Sequence, residues 1–118
     1  MRRVRALNNY ILTRRNGRGF TQKELAFLLG CVHRTKVSRY ELGIRLPTLK
    51  TVIGLEIVLL TPLAKLFAGT YAAVREEIRP RAQQLSRELD AKPRTKAIQR
   101  KIDSLSEIIH PLKAKKAA

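Results

Sequence analysis

The chain of 118 residues contains one cysteine, no tryptophan and only nine acidic residues. A single cysteine, Cys31, excludes a disulfide framework within the chain and any cysteine-rich zinc module. Aromatic residues make up 5% of the chain, too few for the stacking surfaces that bind single-stranded nucleic acids. These scarcities exclude several classes of protein before any motif is considered.

Residue types that carry catalysis or bind metals are also few. The histidines are His33 and His110, and the sequence has no recognisable catalytic triad, paired carboxylates or glycine-rich phosphate loop. Cys31 and His33 lie two positions apart, but no third ligand is near them. We therefore expect no enzyme activity, no cofactor and no bound metal.

Long apolar runs are missing as well. The most apolar stretch, residues 52–60, contains Glu56 and is far shorter than the ~20 residues of a membrane-spanning helix. The N-terminus is basic but lacks the apolar core of a signal peptide. We expect a soluble, cytoplasmic protein of prokaryotic or phage type that associates with the nucleoid and has no membrane partner.

Positive charge is what the chain has in excess. Lysine and arginine number 25, which gives a formal net charge of +16 and a pI near 11.2. The hydrophobic fraction of 44% argues against general disorder, because disordered chains combine high net charge with few apolar residues. The composition therefore predicts a folded protein whose partner is a polyanion.

Caps and glycines divide the first part of the chain into short predicted helices. Thr21 with Glu24 forms the sequence pattern of a capping box, and Thr48 and Thr61 are further cap candidates. No window alternates as a strand does, so the fold is predicted to be all-α. The predicted helices are Val4–Arg15, closed by the turn 16–19, then 21–29, Arg34–Leu42, 48–60, and a fifth of about two turns that opens at Thr61-Pro62. The predicted core comprises Leu25, Leu28, Leu29, Val37, Val52, Leu55 and Leu59.

The second part of the chain predicts two longer helices. The first covers residues 71–89 and is expected to kink or restart at Pro80, and the last is capped by Thr95. The last helix has apolar residues at the 4-3-4-3 spacing of a coiled-coil seam: Ile98, Ile102, Leu105, Ile109 and Leu112. We interpret Ile98, Ile102, Leu105 and Ile109 as candidates for dimerisation or partner binding. The alternative is that this stripe packs on its own chain.

Residues 22–43 have the layout of a helix-turn-helix, in which two short helices flank a tight turn and the second helix is basic. Helical spacing predicts that Val37 and Tyr40 face inward, which turns Lys36 and Arg39 outward. In such motifs the second helix enters the major groove of DNA.

This pattern resembles the lambda-repressor-like, or XRE-type, helix-turn-helix family. The resemblance covers about residues 4–68 and implies a five-helix domain that binds duplex DNA, usually as a dimer on an inverted repeat. One more residue separates Gly30 from Val37 than in the commonest family pattern, and we expect the extra residue in the turn at 31–33. The residues that carry the resemblance are Thr21–Ala26, Leu29-Gly30, Val37–Glu41, Gly43, Pro47, Leu49 and Leu66-Phe67.

Position by position, the resemblance implies a set of DNA-contacting residues. Base readout is expected from Arg34, Thr35, Lys36, Ser38 and Arg39, and phosphate contact from Gln22, Lys23 and Arg45. Glu41 is acidic, so we assign it a structural role, either as a cap or in a pair with a nearby arginine such as Arg14 or Arg15. The predicted organisation is the five-helix domain in residues 1–68, a helical extension in 69–112 and a basic tail in 113–118.

The leading hypothesis is a sequence-specific regulator that binds double-stranded DNA. It is expected to be a repressor that binds an inverted-repeat operator as a homodimer through Arg34–Leu42. The alternative is an antitoxin, in which the same motif autoregulates and residues 70–112 bind a toxin protein. A third hypothesis, a non-specific nucleic-acid-binding protein, would need only charge, and the helix-turn-helix layout argues against it.

Overall fold

A computed structural model describes residues 9–31 and 33–111 of the chain. In these ranges the chain is helical with no strand, which confirms the all-α prediction. The helices are α1 (Ile11–Arg18), α2 (Gln22–Leu29), α3 (Arg34–Glu41), α4 (Leu49–Leu59), α5 (Leu63–Leu66), α6 (Ala68–Asp90) and α7 (Lys96–Ile109). None of these seven helices is long and apolar enough to cross a membrane.

The chain forms two compact units, residues 1–72 and 73–118. The first unit holds α1 to α5 and the start of α6, and the second holds the rest of α6 with α7. The functional division into 1–68, 69–112 and 113–118 stays a prediction.

Helix α1 ends later than predicted. The predicted start at Val4 lies outside the described residues, but Asn9 precedes the helix and its Oδ1 accepts a hydrogen bond from the N–H of Ile11 at 3.1 Å. The predicted end at Arg15 is wrong, because Gly17 adopts helical backbone and the helix continues to Arg18. Gly19 closes it with a φ of 83°, a left-handed conformation that glycine adopts without steric cost.

The two glycines at this helix end provide a matched pair of stability predictions. A Cβ at Gly17 would meet no atom within 4 Å, so Gly17→Ala is expected to raise the free energy of unfolding by about 0.5–1 kcal/mol. Gly19→Ala is expected to lower it by about 1 kcal/mol, because alanine resists the positive φ. Denaturant titrations followed by circular dichroism measure both changes, and a loss of stability in Gly17→Ala would contradict the helical role given to Gly17.

Three predicted threonine caps are confirmed. The Thr21 hydroxyl accepts from the Glu24 N–H at 3.0 Å while the Glu24 carboxylate accepts from the Thr21 N–H at 2.9 Å, which completes the capping box. Thr48 accepts from the N–H of Thr51, and Thr95 accepts from the N–H of Ile98. Each cap satisfies a backbone donor that has no partner within its helix.

The predicted cap at Thr61 is wrong. Its hydroxyl is buried and donates to the carbonyl of Leu59 at 2.9 Å, while Pro62 precedes the first residue of α5. The N–H of Leu63 instead donates to the Glu56 carboxylate at 3.2 Å. Helix α5 is also shorter than predicted, a single turn of four residues.

The first unit is organised around one core to which α1 to α5 all contribute. Most of the predicted core residues are buried or packed against it, but Leu28 is 49% exposed, so its assignment to the core is wrong. Leu28 follows Leu25 by three positions on α2, but Leu29 supplies the next inward contact of this short helix. The buried residues of this core are Ile11, Leu25, Ala26, Val37, Tyr40, Leu55, Leu59, Leu66 and Phe67.

The second unit is a helical hairpin with a smaller core. Ala82 and Leu89 of α6 form a buried cluster with Leu105 and Ile109 of α7. The Arg79 guanidinium also donates to the carbonyl of Ile109 at 2.6 Å. Helix α6 continues through Pro80, so the predicted restart there does not occur.

Candidate nucleic-acid interface

The interface candidate is built from α2, the turn after it and α3. Gly30 ends α2 with a φ of 77°, and α3 begins at Arg34, where the sequence predicted it. Ala26 of α2 is 3% exposed, and its small side chain leaves room for another helix to pack closely against it. Val37 and Tyr40 are buried in the same core, which confirms that this side of α3 faces inward. The buried face of α3 therefore fixes which side chains point away from the domain.

The outward side of α3 carries the residues predicted to read bases. Arg34, Thr35, Lys36 and Arg39 are exposed, and Ser38 is half-buried. With 3.6 residues per turn, Thr35 and Arg39 lie opposite the buried pair Val37 and Tyr40. Lys36 flanks this outward face on one side. The helix thus presents a row of hydrogen-bond donors that can reach the edges of base pairs.

The positive charge of this surface is not neutralised by neighbouring acids. Within the ranges 9–31 and 33–111, none of Lys23, Arg34, Lys36, Arg39 and Arg45 forms an ion pair. Basic side chains left unpaired on one surface attract a polyanion from a distance and are available to contact phosphates.

The one acid of α3 is held inside the domain. Glu41 pairs with Arg15, with 2.5 Å between Nε and Oε2 and 3.3 Å between Nη2 and Oε1. The two side chains are only 10% and 5% exposed, and Arg15 also donates to the carbonyl of Phe20 at 2.9 Å. Of the two predicted partners, Arg15 is therefore the one that binds Glu41. This pairing neutralises the only negative charge of α3.

Gln22 is tied to the same network. Its Nε2 donates to Oε1 of Glu41 at 2.9 Å, and Gln22 is half-buried at the start of α2. A primary amide has two N–H donors, so one stays available for the predicted phosphate contact. The first turn of α2 and the last turn of α3 are thus joined through Glu41.

Arg45 is held near the end of α3 by its backbone. The N–H groups of Ile44 and Arg45 both donate to the carbonyl of Arg39, at 3.0 and 3.3 Å. The Arg45 side chain is exposed in the loop between α3 and α4, and Lys23 is exposed at the start of α2. The predicted phosphate contacts therefore lie at both ends of the helix-turn-helix.

The four residues predicted for dimerisation lie on α7. Leu105 and Ile109 are buried against α6 of the same chain, and Ile98 and Ile102 pack beside them. These contacts correspond to the alternative in which the stripe packs on its own chain. A role for the four residues in dimerisation stays a prediction.

Metal chemistry finds no support in the described part of the chain. No group of three or more histidine, cysteine or acidic side chains in those ranges is placed to hold an ion. Cys31 is a free thiol, half-buried in the turn and packed against the core.

An exposed apolar face on α4 is the feature that the sequence interpretation missed. Leu49, Ile53 and Ile57 are half or more exposed, although Leu55 and Leu59 of the same helix are buried. The signal was present in the sequence, because apolar residues occur on all sides of this helix and one face of a surface helix is ordinarily polar.

An all-α domain in which a capped helix and a tight turn precede a helix with exposed basic side chains is a DNA-binding domain of the helix-turn-helix class. A family model described as helix-turn-helix matches residues 11–66. This segment, which holds α1 to α5, belongs to the lambda-repressor-like (XRE-type) helix-turn-helix family. A domain of this type supports a role as a DNA-binding transcription regulator. Searches of the curated proteins and of the solved structures each return no match.

Proposed function

We propose that the protein is a repressor that binds an inverted-repeat operator as a homodimer and inserts α3 of each copy into the major groove. The observation that carries this proposal is the charge of α3: its three basic side chains are exposed and form no ion pair with any described residue, while its only acid is neutralised by Arg15. Such a regulator acts on the nucleoid in the cytoplasm of a prokaryotic cell.

The proposed division of labour follows the position of each residue. Arg34, Thr35, Lys36 and Arg39, which are exposed on α3, read base edges together with the half-buried Ser38. Gln22 and Lys23 at the start of α2, and Arg45 in the loop after α3, contact phosphates. Phosphate contacts position the protein, and base contacts select the sequence.

Selection of duplexes from a random-sequence library at physiological salt tests this proposal. In a two-fold symmetric dimer the two α3 helices lie about one DNA turn apart, ~34 Å, so an inverted repeat with that half-site spacing is expected to be enriched. Enrichment of no motif, with an affinity that collapses steeply as salt rises, would instead assign the protein to charge-driven, non-specific binding. Transcription from a reporter promoter that carries the selected site should fall when the protein is expressed, and a rise would make it an activator.

Replacement of Lys23 is expected to weaken DNA binding without changing the sequence preference. Because each phosphate contact releases about 0.9 counterion, Lys23→Ala should reduce the slope of log affinity against log salt by about one. Fluorescence anisotropy with the selected duplex at four or five salt concentrations measures this slope. Lys65→Ala, an exposed lysine on α5 outside the helix-turn-helix, is the matched control and should keep the wild-type slope. If both variants had the same slope, Lys23 would not be one of the residues that contact phosphates.

The antitoxin alternative draws support from the second unit. Its hairpin has a core of four buried residues and leaves Val74, Ile78, Leu85 and Ile108 between 42% and 46% exposed. A partner protein that covers these side chains would bury further apolar surface. Co-expression with the product of the neighbouring gene tests this: co-purification together with toxicity of that product alone would favour an antitoxin.

A further inference from the structure

Helix α4 turns a continuous apolar stripe toward solvent. Leu49, Ile53 and Ile57 follow one another at four-residue spacing and are 72%, 50% and 67% exposed. Leu46 before the helix and Leu60 after it add exposed leucines at its two ends and are 71% and 68% exposed. No residue among these five is polar, although all are on the surface of a protein with a net charge of +16.

The size of this stripe suits a protein contact. With roughly 100 Å² of apolar surface on an aliphatic side chain, five that are about two-thirds exposed present on the order of 300 Å². This value is comparable to the largest apolar patch on an ordinary monomer, which is often a binding site. A standard interface buries about 800 Å² on each partner, of which a little over half is apolar. The stripe therefore supplies more than half of the apolar area that one side of such an interface needs.

Leu60 adds a second, independent sign that the stripe serves a purpose. Its φ is 49°, the only positive φ at a non-glycine position among the described residues. Glycine or asparagine ordinarily occupies such a helix end, so an exposed leucine there is unfavourable both in backbone conformation and in hydration. Strained, exposed residues of this kind are typical of sites that contact a ligand or partner.

The order of residues along the stripe indicates what the partner is. About a centre at Ile53, Leu49 mirrors Ile57 and Leu46 mirrors Leu60. The only charged residues of α4, Lys50 and Glu56, lie about 60° to either side of Ile53 and so leave the stripe uninterrupted. Two copies of α4 packed antiparallel about a two-fold axis at Ile53 would bring the side chains of one stripe against those of the other. A two-fold interface requires such self-complementarity, in which the same patch contacts itself.

We propose that the stripe Leu46–Leu60 is the surface through which two copies of this chain associate, with their α4 helices antiparallel. This proposal rests on the homodimer of the proposed function and names its contact surface. It places the contact on the DNA-binding unit itself, so the spacing of the two α3 helices is set within the first unit of each copy. The α7 residues Ile98, Ile102, Leu105 and Ile109 then serve the core of the second unit.

Sedimentation equilibrium of the full chain without DNA tests the surface directly. The wild-type protein is expected to associate to twice its mass of 13.4 kDa. Ile53→Lys places two like charges at the two-fold axis and is expected to weaken association at least about 100-fold, because juxtaposed like charges cost several kcal/mol. Ile78→Lys, on the exposed side of α6 in the second unit, is the matched control and should leave association unchanged. A wild-type monomer, or a dimer that only Ile78→Lys disrupts, would overturn the proposal.

Leu60→Gly should move stability and association in opposite directions. Release of the positive φ is expected to raise the Tm, whereas loss of an interface side chain is expected to weaken the dimer. If Leu60 had no part in association, Leu60→Gly would raise the Tm and leave the dimer affinity unchanged.

DNA binding separates a failure of this proposal from a failure of the proposed function. The monomeric Ile53→Lys variant keeps α3 intact and should still bind one half-site with the wild-type sequence preference, but with affinity for the full operator reduced to that level. If the wild type selects an inverted repeat while Ile53→Lys remains dimeric, only the assigned surface is wrong. If no sequence is selected by either protein, the proposed function itself is wrong.

Discussion

Replacement of Glu41 by alanine is expected to lower the free energy of unfolding of the first unit by about 3–5 kcal/mol. The Glu41 carboxylate is 5% exposed and accepts from both Arg15 and Gln22. Its removal leaves the Arg15 guanidinium buried without its counter-charge and leaves one side-chain N–H of Gln22 without its acceptor. An uncompensated buried charge is far more costly than the intact pair is stabilising. Hydrogen exchange at the amides of α2 and α3 measures the loss where it occurs.

Two further variants make this prediction specific to the buried pair. Glu76→Ala breaks an ion pair with Arg79 in which the Glu76 side chain is 65% exposed, and it should change stability by no more than about 0.5 kcal/mol. The double variant Arg15→Met with Glu41→Leu removes both charges and should recover most of the lost stability. If Glu41→Ala lowered stability as little as Glu76→Ala, the Arg15–Glu41 pair would not behave as a buried ion pair. The claim that Arg15 neutralises the only acid of α3 inside the domain would then be wrong.

Local signals in the sequence were sufficient for most of the first unit. Thr21 with Glu24, Thr48 and Gly30 mark helix ends through bonds between near neighbours, so their roles can be inferred without tertiary structure. The inward positions Val37 and Tyr40 follow from helical periodicity alone, and they fix the outward face that carries Thr35 and Arg39. For this reason the fold class and the orientation of α3 were predictable.

The features that were not predictable depend on contacts between distant residues. The choice of Arg15 over Arg14 as the partner of Glu41 depends on how α1 rotates against α3, which sequence spacing does not set. Glu56, in place of Thr61, satisfies the N–H of Leu63 because α4 and α5 meet at that point. The 4-3-4-3 stripe of α7 suits a second chain and a helix of its own chain equally, and only the packed hairpin shows the contact with α6.

The same limit applies to α4, whose apolar residues cover more than one face. Periodicity identifies Leu55 and Leu59 as core, but it cannot say that Ile53 and Ile57 stay exposed once the domain has folded. Sequence patterns report that a helix has more apolar surface than one core can cover. The structure shows which part is left over, and that remainder is where a partner is expected.

Replacement of Arg39 by alanine is expected to abolish discrimination at one base pair of each half-site. Arg39 is exposed on the side of α3 opposite Val37 and Tyr40 and forms no ion pair with the described residues, so its guanidinium is available to a base edge. An arginine that binds guanine through two hydrogen bonds contributes about 1–3 kcal/mol of discrimination, which is roughly 5- to 150-fold in relative affinity. In a dimer the effect is present in both half-sites.

Competition binding measures this effect against a panel of operators in which each base pair is substituted in turn. Arg39→Ala should bind the preferred operator more weakly and bind variants at one position with nearly equal affinity, while the preference at other positions persists. Lys23→Ala is the control and should weaken all operators by the same factor, because a phosphate contact carries no sequence information. If Arg39→Ala also weakened every operator equally, Arg39 would be a backbone contact, and base readout would rest on Arg34, Thr35 and Lys36 at the start of α3.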